Sequence, residues 1–176
     1  MNRGNARRHI FLSKKHYLHF LNLLDLVAQK YGLEIHAFCL MGTHYHLLVH
    51  TPQNNLSSAI QYLNSRFAMA VNKERKRDGF VFKGRFKSLL IANKKYLLNV
   101  GRYIHLNPVE SGISKKPEDY EWSSCRDYLQ ASPRYPWLKT SHVQPNSDSY
   151  DTYLKKGNPR KMLDLYSKQR LPNRIE

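Results

Sequence analysis

The stretch THYHLLVH, Thr43 to His50, sets three imidazoles into an apolar run. Side chains alternate faces along a strand, so His44, His46 and His50 share one face with Leu48, while Tyr45, Leu47 and Val49 share the other. Two imidazoles two residues apart on one face lie within reach of one metal ion, and open space beside them would admit a substrate oxygen. A second group stands in YLLNVGRYIHLNPVESG. Tyr103 and Asn107 are four residues apart and share a helical face, while Tyr96, Leu97, Val100 and Ile104 form the buried stripe.

Each group has a plainer reading when taken alone. Nine histidines make a chance His-x-His unsurprising, a tyrosine is often a half-buried aromatic, and an asparagine before proline is often only a helix stop. Together they match what phosphodiester transesterification needs. A phenolic oxygen attacks phosphorus while a metal offsets charge on the nonbridging and leaving oxygens. No ATP is consumed, because a phosphotyrosine link conserves the bond energy.

The elements that must hold these residues are legible from spacing. Ser13 caps a helix whose apolar positions Tyr17, Phe20, Leu21, Leu24, Val27, Ala28 and Tyr31 recur at threes and fours, and Gly32 supplies its left-handed stop. LEIHAFCLM and HYHLLVH then form a hairpin around Gly42-Thr43. A two-residue loop sets Met41 opposite His44, Cys39 opposite His46 and Ala37 opposite Leu48. Asn55 opens a second helix carrying Leu56, Ile60, Leu63, Phe67 and Val71. FVFKGRFKSLLI, Phe80 to Ile91, reads as a strand with Lys83, Arg85 and Lys87 in one basic row that could track a phosphate backbone. Asn93 caps a third helix, which the proline at 108 closes near Leu106. This order predicts an α+β fold with a mostly antiparallel sheet. A short helix is expected within KKPEDYEWSSCRDYL, and one or two more around YDTYLKK and KMLDLYSK.

Composition narrows the partner. The 29 Lys and Arg against 13 Asp and Glu leave a formal charge of +16, which favours nucleic acid. No apolar run approaches the roughly 20 residues of a membrane span, so no membrane partner is expected. Cys39 and Cys125 show no pairing pattern, which fits a reducing cytoplasm. His36 and His50 read as polar rim residues.

His-hydrophobic-His at 44–46, followed by RYIHLNPVESG, resembles the single-tyrosine HUH transposases, and in particular the REP-associated tyrosine transposases. RGNARRHIF, AFCLMGTHYHLLVHTP, FKGRFKSLL and YEWSSCRDYL extend the likeness from about Arg3 to Leu129. The resemblance implies a ferredoxin-like antiparallel sheet with helices on one face and a catalytic helix over the sheet. It implies a transposase domain over residues 1–129 and a C-terminal loop and helix extension over 130–176, ending abruptly at LPNRIE. It also implies His44, His46 and Asn107 as ligands of Mg²⁺ or Mn²⁺, and Tyr103 as a nucleophile forming a 5′-phosphotyrosine and releasing a 3′-hydroxyl. The implied partner is single-stranded or hairpin DNA from repeated palindromes, bound by a monomer or homodimer.

Two departures stand out. Gly42-Thr43 replaces the usual Pro-Asn, and the strand that precedes RGN in the family is expected to be missing, because Met1 falls almost on that motif. Two other readings stay open at this point. One is an inactive DNA-binding relative. The other is a zinc protein in which Cys39 completes a softer site with the two imidazoles.

Overall fold

In a computed structural model, the structure describes residues 1–145 and 149–156. The elements in chain order are β1 (Asn2–Arg3), α1 (Lys14–Tyr31), β2 (Glu34–Met41), β3 (His44–His50), α2 (Leu56–Glu74), α3 (Lys94–Glu110) and α4 (Tyr150–Leu154), with single 3₁₀ turns between α3 and α4. The three strands form an antiparallel sheet in the order β1-β3-β2. The position beside β3 that was expected to be empty is filled at one end, where Asn2 pairs with Tyr45 and Arg3 with His44.

The hairpin has the register its two-residue loop requires: Met41 faces His44, Cys39 faces His46 and Ala37 faces Leu48. A bulge between Ile35 and Ala37 then shifts the far end by one residue. Alternation sends the two faces of the hairpin to different cores. Ile35, Phe38, Leu40 and Tyr45 pack with Phe20, Leu24 and Val27 of α1 and Ile60, Leu63, Phe67 and Val71 of α2. Ala37, Cys39, Met41 and Leu48 pack instead with Ile104 of α3 and with Cys125, Tyr128, Val143 and Tyr150. Thus α1 and α2 cover one face and α3 the other. Burying each large side chain contributes about 1.5–3 kcal/mol, so the second of these cores holds α3 against the histidine face.

Helix α1 starts after Ser13 and stops at Gly32, whose φ of 62° is the left-handed conformation a side chain would disfavour. Two expectations need correction. Helix α3 does not stop near Leu106 but runs to Glu110 with Pro108 inside it. Asn107 Nδ2 donates to the Tyr103 carbonyl at 3.2 Å, and beyond the proline the Ser111 N–H donates to the Asn107 carbonyl at 3.0 Å. The segment from 80 to 91 is not a regular strand. Only Phe82 makes an isolated bridge, to Gly4, while the Lys83 and Lys87 N–H groups donate to the carbonyls of Arg3 and Met1. Its neighbour β1 is two residues long and cannot support a ladder. The short helix expected in KKPEDYEWSSCRDYL appears as two 3₁₀ turns, Pro117–Asp119 and Ser124–Tyr128. The expected helix at KMLDLYSK lies outside the described residues.

The rotation of α3 about its axis is set by His105. It is fully buried, with Nδ1 2.6 Å from Tyr150 Oη and Nε2 2.8 Å from Ser124 Oγ, and Ser124 in turn takes the Phe38 N–H at 2.9 Å. Residues two apart project from nearly opposite sides of a helix, so Tyr103 points away from the side on which Ser124 and Tyr150 anchor His105. Gly101 lets the same side approach closely, since a Cβ there would lie 2.3 Å from Val143 Cγ1.

Burial pushes the His105 imidazole down to about 3. Its ordinary value is about 6.5, so between the two the unfolded chain binds the extra proton and stability rises with pH. Stability is complete above about pH 6.5 and declines as pH falls through this window, by about 2 kcal/mol at pH 5 from this group. With EDTA present, this group's share of the fall in melting temperature from pH 7.5 to pH 5 should be about 4–8 °C. The imidazole of His46, lowered as far by burial, adds to the same slope, so His105→Asn, which cannot titrate, should make the dependence shallower without abolishing it; an equal slope in both proteins would remove His105 from the account.

Candidate active site

The hairpin and α3 meet at one place. His44 and His46 project from the α3 face of β3 with ring centroids 5.0 Å apart and planes at 81°. Tyr103 meets His46 edge-on at 5.7 Å and 89°. The strand pair and the helix tyrosine, 57 positions apart in sequence, are therefore in ring contact. Asn107 lies one turn after Tyr103 and is buried, with its amide nitrogen held by the Tyr103 carbonyl and its oxygen left as an acceptor.

Electrostatics keep the imidazoles neutral. Burial pushes His46 down to about 3, with smaller repulsions from His44 and the N-terminal ammonium. His44 is lowered by burial first, then by the charges of Arg3 and the N-terminus. Neutral imidazole is the form that ligates metals. The Thr43 hydroxyl lies 3.0 Å from His44 Nδ1 and orients that ring so that Nε2 remains available. Sequence reasoning assigned no role to Thr43 or Arg3. The register of β1 against β3 was needed to see Arg3, and a side-chain rotamer was needed to see Thr43.

The other candidates separate clearly. His50 is exposed and pairs with Glu34 at 3.0 Å, as a rim residue should. His36, expected at the rim, is buried, with its Nδ1 at 2.9 Å from the Lys139 carbonyl, because the β2 bulge turns it under the C-terminal segment. Cys39 faces His46 as predicted, but it is fully buried and its thiol donates to Met41 Sδ at 3.5 Å. Desolvation raises that thiol well above the ordinary cysteine range, which opposes a zinc thiolate. Among the described residues no three His, Cys, Asp or Glu side chains gather around one point, so the donor set is two imidazoles plus the Asn107 amide at most. Neutral nitrogen donors with a carbonyl oxygen fit a hard or borderline divalent ion with open positions for phosphate oxygens. Lys83, Arg85 and Lys87 are all exposed, although the strand expected to align them is absent.

The family model described as "Transposase IS200 like" matches residues 1–107. A Haemophilus influenzae protein described as a REP-associated tyrosine transposase is 31% identical over 123 residues, covering 64% of this chain and 70% of that protein. A solved structure of a REP-associated tyrosine transposase bound to a REP hairpin superposes with a TM-score of 0.63 at 22% identity, over 84% of this chain and 86% of that one. No described helix is long and apolar enough to cross a membrane.

Proposed function

We propose, from the premise that this chain belongs to the IS200-like transposase family, that it cuts and rejoins single-stranded DNA by transesterification at a hairpin, with Tyr103 as nucleophile. The observation that carries this reading is the ring contact between His46 and Tyr103, which joins a metal-ligand pair to a phenol on a separate element. In the reaction the Tyr103 Oη–phosphorus bond forms and the bond from phosphorus to the 3′ oxygen breaks. The phenolic proton passes to solvent and the departing oxygen is protonated, leaving a 5′-phosphotyrosine and a 3′-hydroxyl. The reverse attack by a 3′-hydroxyl rejoins a strand.

His44 and His46 would hold Mg²⁺ or Mn²⁺, with the Asn107 oxygen as the third protein donor. A bound divalent ion would offset negative charge on the phosphate oxygens. Burial keeps both imidazoles ready to bind without losing a proton first, Thr43 orients His44, and His105 orients the helix that carries Tyr103. The relative whose structure is solved holds a REP hairpin, which supports a palindromic hairpin as the substrate class here.

The test is incubation with single-stranded palindromic DNA and Mn²⁺ followed by a denaturing gel. A covalent protein–DNA band is the expected result. Retained hairpin binding without any band would instead favour the inactive DNA-binding reading.

The exposed Lys83, Arg85 and Lys87 are proposed to contact phosphates. Affinity for the hairpin should then fall steeply with salt, and Lys83→Ala or Arg85→Ala should each lower the log–log slope by about 0.7. Binding titrations at several salt concentrations read this directly, and unchanged slopes would place the DNA elsewhere on the surface.

A further inference from the structure

We infer that Arg3 is a catalytic residue of this site, contacting the nonbridging oxygens of the phosphodiester that Tyr103 attacks; this rests on the reaction proposed above. The placement comes from the sheet. Arg3 is the antiparallel partner of His44. Directly opposed residues in an antiparallel pair point to the same face, so Arg3 shares the face that carries His44, His46 and α3. Asn2, one residue earlier, belongs to the other face, where its partner Tyr45 enters the α1–α2 core and its own Nδ2 donates to the Gly84 carbonyl.

The backbone of Arg3 is tied down while its head group is uncommitted. Its N–H donates to Asn2 Oδ1 at 2.9 Å and its carbonyl accepts the Lys83 N–H at 2.9 Å. None of the ion pairs among the described residues involves Arg3, whereas the nearby N-terminal amino group donates to the Lys87 carbonyl at 2.7 Å. Arg3 is a half-buried residue beside His44 with no carboxylate paired to it among the described residues, and an anion is the partner its charge would take. The planar fork of arginine matches two oxygens of a phosphate. Arg3 stays protonated throughout the transfer. It offsets the charge that builds on the nonbridging oxygens while the Tyr103 Oη–phosphorus bond forms and the bond to the 3′ oxygen breaks.

The experiment is single-turnover cleavage of a hairpin-bearing single-stranded oligonucleotide with Mn²⁺. Arg3→Ala should slow the chemical step on the order of 10²-fold, with hairpin affinity changed only a few-fold and both melting temperature and Mn²⁺ affinity unchanged. Added guanidinium ion, at millimolar levels, should restore rate to Arg3→Ala but not to His44→Ala, and Arg3→Lys should fall between. Rescue is the discriminating readout, because a purely structural loss would not respond to a free cation. An Arg3→Ala protein that cleaves at the wild-type rate overturns the assignment, as does an unrescued loss accompanied by a lower melting temperature. A wild-type protein that forms no covalent adduct overturns the reading of the reaction, and this inference with it.

Discussion

Tyr103→Phe should abolish both strand cleavage and the covalent protein–DNA band, a loss on the order of 10⁴-fold or more, because it deletes the phenolic oxygen proposed to form the new bond to phosphorus. The ring itself should remain in place. Tyr103 is partly buried against the α3-side core and meets His46 through its edge, contacts a phenylalanine ring preserves. Melting temperature and hairpin affinity should therefore stay near wild type. The assay is a denaturing gel on matched amounts of protein and 5′- or 3′-labelled hairpin DNA, run beside a binding titration. Cleavage that persists in the Phe variant, without a covalent band, would identify water as the nucleophile and leave Tyr103 a packing residue.

His44→Ala and His46→Ala should each remove cleavage, by about 10³-fold or more, since the divalent ion proposed to bind them would supply several kcal/mol of transition-state charge stabilisation. Hairpin binding should change little, because affinity derives mainly from cations on phosphates. The informative comparison is His50→Ala. His50 stands on the same strand and the same predicted face, yet its side chain is 61% exposed and engages Glu34. Its loss should leave activity intact and stability within about 0.5 kcal/mol, as for other surface positions. Mn²⁺ titration of the three variants, followed by the ion's own resonance signal, separates lost binding from lost chemistry. Equal damage from His50→Ala would show that the ligands have been misassigned.

The sequence by itself determined whatever depends on neighbours along the chain. The threes-and-fours stripe and Gly32 defined α1 almost to the residue, and a two-residue loop with alternating apolar positions put Cys39 opposite His46. It also singled out His44, His46, Tyr103 and Asn107, because strand period and helix turn assign faces before any tertiary contact exists. The tertiary structure decided the rest. Alternation over 80–91 suggested a strand, but a strand needs a partner of its own length, and β1 has two residues. Proline at 108 suggested a stop, but Asn107 and Pro108 are buried and the Ser111 N–H still reaches the Asn107 carbonyl, so the helix runs past it. His36 was placed at the rim until a bulge turned it inward. The contact of Tyr103 with His46, the inward anchoring of His105 by Ser124 and Tyr150, and the seating of Arg3 beside His44 join segments 19 to 57 positions apart. Local periodicity carries no record of such distances, because which faces meet is settled only when the two cores close on opposite sides of one sheet.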